Sequence, residues 1–432
     1  VAVPAYWVFG QTKFDGYDSI RHSAMLAGSD IEKETLEILR REGMLVEAET
    51  PWARRQIKLL ENLALMPLTR HNDVDLLIDG EQTFKAIFDS IARAEDYILV
   101  QFYIIRPDEL GNKLKDALLA KAAEGVRVFV LYDGLGSAGL TEPYLQALAD
   151  GGVETAAFNT TKGAGNRFRL NFRNHRKIVV VDGKEAFVGG HNVGDEYLGK
   201  DPKLTPWRDT HVAVRGPVVL EAQITFAEDW QWATGFVPEL NWKPEKAPTG
   251  DTIALCLPTG PADELETATL LFLNAINTAE ERLWLVSPYF VPDEQLMSAL
   301  QLAALRGVDV RILIPENPDQ MLVYLSSFSS LEDAEKAGVK IYRYEPGFLH
   351  QKVALIDDNT SAVGTTNFDN RSMRLNFEVT MMFFDKEFAQ EMETMLQHDF
   401  ESSRLVSSGD YSKSSFLFRL SVRAARLLAP VQ

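Results

Sequence analysis

The chain has a single cysteine, Cys256, among its 432 residues. One thiol allows no intrachain disulfide and no cysteine-based zinc cluster, and it leaves the cellular compartment open. Positive charge is also scarce: 44 Lys and Arg stand against 62 Asp and Glu, a formal net charge of −18. This disfavours a partner that needs a broadly basic surface, bulk nucleic acid above all, but leaves room for a local basic pocket. The apolar and aromatic start Val1–Gly10 is far shorter than the roughly 20 residues that cross a bilayer. Tyr6 and Trp7, followed by charge from Lys13 onward, resemble the interfacial end of a membrane helix. Two readings stand there: a segment that follows a membrane anchor, or a start packed on the body. With 46% apolar and 25% charged residues, the chain is long enough for two or three domains with sizeable cores and too apolar for global disorder.

What is present is a repeat. His175-Arg176-Lys177, then four residues and Asp182, returns as His350-Gln351-Lys352 with Asp357, 175 residues further on. In each copy an Asn follows the His by 17 residues: Asn192 in Gly189-Gly190-His191-Asn192 and Asn367 in Gly364-Thr365-Thr366-Asn367. Upstream of each copy, a strand-like run (Tyr97–Ile104 and Leu283–Phe290) leads to Pro-Asp-Glu, a helical stretch and a second apolar run. Short β-branched runs alternating with helical patterns predict an α/β fold with a mixed sheet in each half. The expected organisation is a helical or juxtamembrane segment over 1–72, a first repeat over 73–234, a linker over 235–250, a second repeat over 251–405 and a tail over 406–432. Within the first segment, Ile31–Arg41 and Trp52–Leu65 read as helices. In the tail, Arg419, Arg423 and Arg426 share a narrow helical face opposite a wide apolar arc. That pattern suits either a membrane interface or docking on the body.

Strand parity places His175 and Lys177 on one face and Asp182 on the other, and likewise His350, Lys352 and Asp357. The His and Lys then share a site, while the Asp holds structure. Ile178–Val181 and Val353–Ile356 are unbroken apolar runs, as in strands buried on both faces. If acid and base are both needed, each half must supply one across a pseudo-twofold interface. His191 and His211 with His175 and Asp195 match no standard zinc spacing, so no metal site is expected. Six basic residues and no acidic one lie between Lys162 and Lys177, among them Arg167, Arg169 and Arg173, a local reversal of charge suited to anionic headgroups.

The paired motif resembles the phospholipase D superfamily. PYFVPDE (Pro288–Glu294), GGHNVGDEY (Gly189–Tyr197), WRDTHV (Trp207–Val212), RGVDVRIL (Arg306–Leu313), GVKIYRYEPGFLHQK (Gly338–Lys352) and VGTTNFDNRSMRLNFEV (Val363–Val379) are similar to bacterial cardiolipin synthases over about residues 74–405. The resemblance implies two pseudo-twofold-related α-β-α sandwich halves and no cofactor, two ammonium groups taking the place of a metal. It implies that His175 attacks phosphorus, forming a phosphohistidine, and that His350 serves as acid and base, although the symmetric motif itself leaves the two roles open. Lys177, Lys352, Asn192 and Asn367 would hold the non-bridging oxygens. Asp209 would orient His175 and Glu378 would orient His350, each from a later strand of its own half. Family members often carry a hydroxyl two residues before the Asn; Thr365 fits and Gly190 does not. Arg371, in the same motif as Thr365, is a further candidate for substrate contact. The implied reaction joins two phosphatidylglycerol molecules into cardiolipin with release of glycerol, at the inner membrane of a bacterial cell, with anionic phospholipid as the partner. The alternatives are hydrolysis to phosphatidic acid, an inactive membrane-binding module, or a nuclease, the last disfavoured by net charge.

Overall fold

The structure, a computed structural model, describes Phe14, Gly16, Tyr17, residues 29–159 and 172–406, and Ser415, Phe418, Leu420, Ser421, Val422 and Ala425. The Val1–Gly10 start, the basic residues Lys162, Arg167 and Arg169, and the tail arginines Arg419, Arg423 and Arg426 lie outside the described residues. The strands of the first half are β1 (Thr69–Ile78), β2 (Tyr97–Phe102), β3 (Arg127–Asp133), β4 (Glu154–Phe158), β5 (Arg173–Asn174), β6 (Ile178–Val181), β7 (Glu185–Gly189), β8 (Trp207–Arg208) and β9 (Thr210–Arg215). Those of the second are β10 (Thr252–Thr259), β11 (Arg282–Val286), β12 (Phe290–Val291), β13 (Asp309–Pro315), β14 (Lys340–Tyr344), β15 (Phe348–Leu349), β16 (Val353–Ile356), β17 (Thr360–Gly364), β18 (Phe368–Asp369), β19 (Asn376–Phe384) and β20 (Ser403–Leu405).

Across the sheet the first half runs β4-β3-β2-β6-β7-β9-β1 and the second runs β14-β13-β11-β16-β17-β19-β10, with β20 beyond β14. The two orders are the same. Each half is mixed: β2, β3 and β4 run parallel, whereas β6, β7 and β9 are antiparallel to their neighbours. Where β1 pairs with β10 the two sheets join edge to edge, so a single sheet spans both halves. β6 and β16 are buried along their whole length, as their unbroken apolar sequences require.

The repeated Pro-Asp-Glu marks a helix start in both halves. Asp108 caps Glu109–Ala123 by accepting from the Gly111 N–H, and Asp293 caps Glu294–Leu305 by accepting from the Leu296 N–H. The N-terminal helices Ser29–Arg41 and Pro51–Ala64 form where the sequence pattern places them. Helices Val218–Thr234 and Lys386–Glu401 close the two repeats on the inner side of the sheet. The apolar core there is shared: Val180, Val212 and Phe226 of the first half pack in one cluster with Val353, Phe377 and Val379 of the second. Each half keeps its own outer core, with Ile87, Val100 and Leu114 in the first and Leu283, Leu300 and Ile312 in the second. In the tail, Phe418 lies edge-on to Phe328 at 5.0 Å, and Val422 and Ala425 are buried, so this part docks on the body. No helix among the described residues is long and apolar enough to cross a membrane.

Candidate active site

Each motif histidine follows a two-residue strand that pairs with the other half. β5, just before His175, runs parallel to β19, and the His175 N–H donates to the Phe377 carbonyl at 2.9 Å. β15, just before His350, runs parallel to β8, and the His350 N–H donates to the Arg208 carbonyl at 2.8 Å. This crossing decides which carboxylate each imidazole meets. His175 Nδ1 lies 3.0 and 2.9 Å from the two Glu378 oxygens, and His350 Nδ1 lies 2.7 Å from Asp209 Oδ2. The pairing expected within each half is therefore wrong. Asp209 orients His350, Glu378 orients His175, and every His–carboxylate pair bridges the halves.

The carboxylates are ionised and fully buried. Burial pushes Asp209 toward the neutral form, but Lys352, His191 and His350 outweigh it and hold the group below the ordinary carboxylate range. Burial likewise opposes ionisation of Glu378, which His175 and Lys177 restore. An ionised acceptor on Nδ1 fixes the proton there, so Nε2 of each imidazole carries the lone pair. Burial pulls His175 down to about 4 against the pull of Glu378, and pulls His350 down to about 3, with Lys352 adding to the effect. Both rings are neutral at pH 7.

Lys177 and Lys352 fold back on their own histidines, each Nζ donating to the histidine carbonyl two residues earlier, at 2.6 Å for Lys177. Burial takes Lys177 well below the usual lysine range and Lys352 down to about 8. Lys352 is felt by His175 and Lys177 by His350, so the four groups share one electrostatic environment. His175–Lys177 and His350–Lys352 lie between strands (β5 and β6, β15 and β16) rather than within one. Asp182 and Asp357 follow β6 and β16 at left-handed positions, φ 54° and 52°, so the length of the intervening strand, and not the alternation expected along one strand, separates them from the His and Lys. Asp182 accepts from the N–H groups of Glu95, Asp96 and Tyr97 at 2.8–2.9 Å, and Asp357 from those of Glu280, Glu281 and Arg282. Both tie a turn to the start of β2 or β11.

The two motif asparagines differ in their partners. Asn192 Oδ1 accepts from the Ile104 N–H at 3.1 Å and its Nδ2 donates to the Tyr197 hydroxyl at 3.0 Å, whereas buried Asn367 Oδ1 has no protein partner among the described residues. Thr365 supports its half: its hydroxyl accepts from the Val379 N–H at 2.9 Å and is hydrogen-bonded to Glu378. Gly190 has no side chain because Asp209 occupies the place; a Cβ there would lie 2.0 Å from Asp209 Oδ1. Arg173 stands on β5, and Arg371 opens the short helix Asn370–Arg374. They are within electrostatic reach of each other and of Tyr103, whose hydroxyl is hydrogen-bonded to Arg173. Arg176, in contrast, is buried in an ion pair with Asp229 at 2.8 Å and does not line the cleft.

Sequence reasoning missed the aromatic walls. The Tyr103 ring is 5.0 Å from the His175 ring, and Trp207 is 5.0 Å from His350 and 4.6 Å from Tyr197. Trp207 stood two residues from Asp209 within a quoted motif, and Tyr103 at the end of a strand run, but nothing in either pattern told wall from core. His191 and His211 pair with each other, Nδ1 to Nδ1 at 3.1 Å, behind Asp209. Asp195 instead accepts from the Leu110 N–H at 3.0 Å, and His71 pairs with Asp251. Among the described residues no group of three or more His, Cys, Asp or Glu is placed to hold a metal ion.

Two like halves, each bringing an imidazole–ammonium pair to one cleft and orienting the other's imidazole, define an enzyme of the phospholipase D-like class. The chain belongs to the cardiolipin synthase family with a phospholipase D-like domain, which matches residues 87–210 and 272–400. It is 53% identical over 375 residues to cardiolipin synthase A of Pseudomonas putida (strain GB-1), covering 87% of this chain and 78% of that protein. It is 49% identical over 428 residues to cardiolipin synthase A of Pseudomonas syringae pv. syringae (strain B728a), covering 99% and 88%. Among solved structures, the phosphatidylserine synthase of Haemophilus influenzae superposes with a TM-score of 0.62 at 16% identity over 87% of this chain and 99% of that one. The polyphosphate kinase of Porphyromonas gingivalis superposes with a TM-score of 0.54 at 11% identity over 81% and 50%. At these identities the two structures speak for the fold.

Proposed function

We propose that the chain is a phosphatidyltransferase that makes cardiolipin from two molecules of phosphatidylglycerol. The observation that carries the chemistry is the pair of neutral imidazoles, each locked at Nδ1 by a buried carboxylate of the other half. His350 takes up a proton at Nε2 as the substrate binds; His175 Nε2 then attacks phosphorus, the bond from phosphorus to the glycerol oxygen breaks, and that proton leaves with glycerol. His350 binds a proton poorly in the empty site, and an anionic phosphodiester beside it raises that affinity. The hydroxyl of a second phosphatidylglycerol then gives its proton to His350 and attacks phosphorus, freeing His175. Lys177, Lys352, Asn192 and Asn367 stabilise the charge on the non-bridging oxygens.

Arg173 and Arg371 stand on the His175 side and suit the phosphate of the bound lipid, which supports His175 as the nucleophile. The membrane surface is the place of action, since substrate and product are both lipids. Purified protein on phosphatidylglycerol vesicles is expected to yield cardiolipin and glycerol in equal amounts; phosphatidic acid as the dominant product would mean hydrolysis. Quenching with denaturant at neutral to alkaline pH, where the P–N bond survives, should trap a phosphohistidine absent from His175→Ala. An adduct on His350 would reverse the two roles.

A further inference from the structure

The repeat makes the two sides of the cleft alike in backbone, yet their lining differs in charge. On the His175 side, Tyr103 is hydrogen-bonded to Arg173 and is close enough to Arg371 to feel it. On the other side, Tyr289 donates to Asp319 Oδ2 at 2.7 Å and accepts from Gln320 Nε2 at 3.2 Å. The two tyrosines are not copies of one position. Tyr97 and Arg282 occupy equivalent places under Asp182 and Asp357, which sets Tyr289 level with Ile104 rather than Tyr103. Tyr289 and Asp319 are thus an addition to the repeat.

Electrostatic reach and ring packing link them to the His350 side of the site. Tyr289 is within electrostatic reach of Tyr197, the residue that packs on Trp207, which in turn packs on His350. Asp319 and Lys352 feel each other. Asp319 is solvent-accessible, in the stretch between β13 and the helix Met321–Glu335, and lines a small cavity with Pro288, Tyr289, Pro318, Gln320 and Tyr324. Enclosure raises its proton affinity, and the hydrogen bond from Tyr289 and the charge of Lys352 oppose that rise.

A carboxylate here repels a phosphate, and Lys352 beside it repels a second ammonium group. What the combination accepts is a neutral polyol, whose hydroxyls donate to the carboxylate and meet the Tyr and Gln side chains as partners of either sense. We propose that Asp319, with Tyr289, holds the non-reacting hydroxyl of the glycerol headgroup at the His350 side, and so selects a polyol acceptor over simple alcohols and water. This rests on the phosphatidyl-transfer reading above and adds the residues that choose the acceptor.

The test is a partition experiment. Phosphatidylglycerol vesicles are incubated with enzyme and a fixed concentration of 1-propanol, and the ratio of cardiolipin to phosphatidylpropanol is measured. Both products arise from the same phosphohistidine, so the ratio is unaffected by the amount of folded enzyme or the rate of the first step. Asp319→Asn is expected to lower the ratio about tenfold and Tyr289→Phe to lower it less, because a site built to bond a hydroxyl loses selectivity when the partner goes. Asp319→Glu should recover part of the preference. An unchanged ratio in Asp319→Asn, whatever its total rate, overturns the inference. So does a wild-type preference for ethanolamine over glycerol as added acceptor that Asp319→Asn abolishes, since the site would then be one for an ammonium group. Absence of cardiolipin with the wild-type enzyme would instead strike at the reading of the reaction itself.

Discussion

The position of one proton on each imidazole decides what the site can do. Glu378 and Asp209 accept from Nδ1, so Nε2 is the atom left with a lone pair for chemistry. Asp209→Asn and Glu378→Gln keep the shape and lose the charge that selects the tautomer. Each is expected to lower kcat by a factor on the order of 10^3–10^4 with a much smaller change in KM, by analogy with the aspartate of a serine-protease triad. Initial rates over a range of phosphatidylglycerol surface concentrations separate the two constants. The ammonium groups set the alkaline side. Lys352, brought down to about 8 by burial, loses its charge as pH rises through that value. In the free enzyme kcat/KM should therefore fall above about pH 8, and Lys352→Arg, which stays charged, should flatten that limb at a lower plateau. Stability responds at the other end. His175 and His350 have folded-state values of about 4 and about 3, below the unfolded value of about 6.5, so the folded state binds fewer protons. The resulting destabilisation is absent above pH 6.5 and grows as pH falls from there toward 4. Urea unfolding at pH 7 and pH 5 should show it, and His175→Gln should shrink the difference between the two.

Among elements, the two-residue strands β5 and β15 matter most, because they carry each histidine across to the other half's carboxylate. They also mark where the sequence stopped being legible. The repeat, the α/β class, the buried β6 and β16 and the paired His, Lys and Asn could be read from pattern, since motif spacing and apolar runs are local properties. Which carboxylate meets which imidazole depends on parallel pairings between segments 203 and 141 residues apart, with nothing in any of the segments to announce them. Arg176 shows the same limit: it sits in a basic run, yet the fold buries it against Asp229, out of the cleft. Gly190 is the reverse case, a departure from pattern that the fold explains. Its missing Cβ leaves room for Asp209, so Gly190→Ser, which supplies the hydroxyl that Thr365 supplies in the second half, should displace that carboxylate and lower kcat about tenfold or more despite native circular dichroism. The turn aspartates act differently. Asp182→Gly keeps the left-handed conformation, φ 54°, but removes three charge-assisted acceptances at the start of β2. A loss of about 3 kcal/mol in unfolding free energy is expected, with kcat of the folded fraction largely retained.

On the scale of the whole molecule, the halves are held as one unit by two buried arginines that reach across them as well as by the β1–β10 seam. Arg176 donates from Nε to the Glu378 carbonyl, from one terminal nitrogen to Asp229 at 2.8 Å and from the other to the Thr259 carbonyl. Arg208 grips Asp399 through two nitrogens at 2.8 and 3.0 Å, from the first half to the second repeat's closing helix. Both arginines are buried, Arg176 completely. Removing one partner of such a pair costs more than the pair contributes, because the other charge is left in the interior. Arg176→Met is therefore expected to destabilise the chain by about 3–5 kcal/mol. Asp229→Asn in the same chain should recover part of that loss: Asp229 also accepts from Tyr17, Gln101 and Asn174, and an amide oxygen can keep some of those bonds. The form of the transition is as informative as its size. Arg176 touches both halves, and the central apolar cluster is shared between them, so calorimetry of Arg176→Met should show one transition moved to lower temperature. Two separated transitions, with only the first half destabilised, would mean that the halves fold independently. The cross-paired histidines would then rest on a docking equilibrium, and kcat should fall with the occupancy of that docked state rather than with loss of the fold.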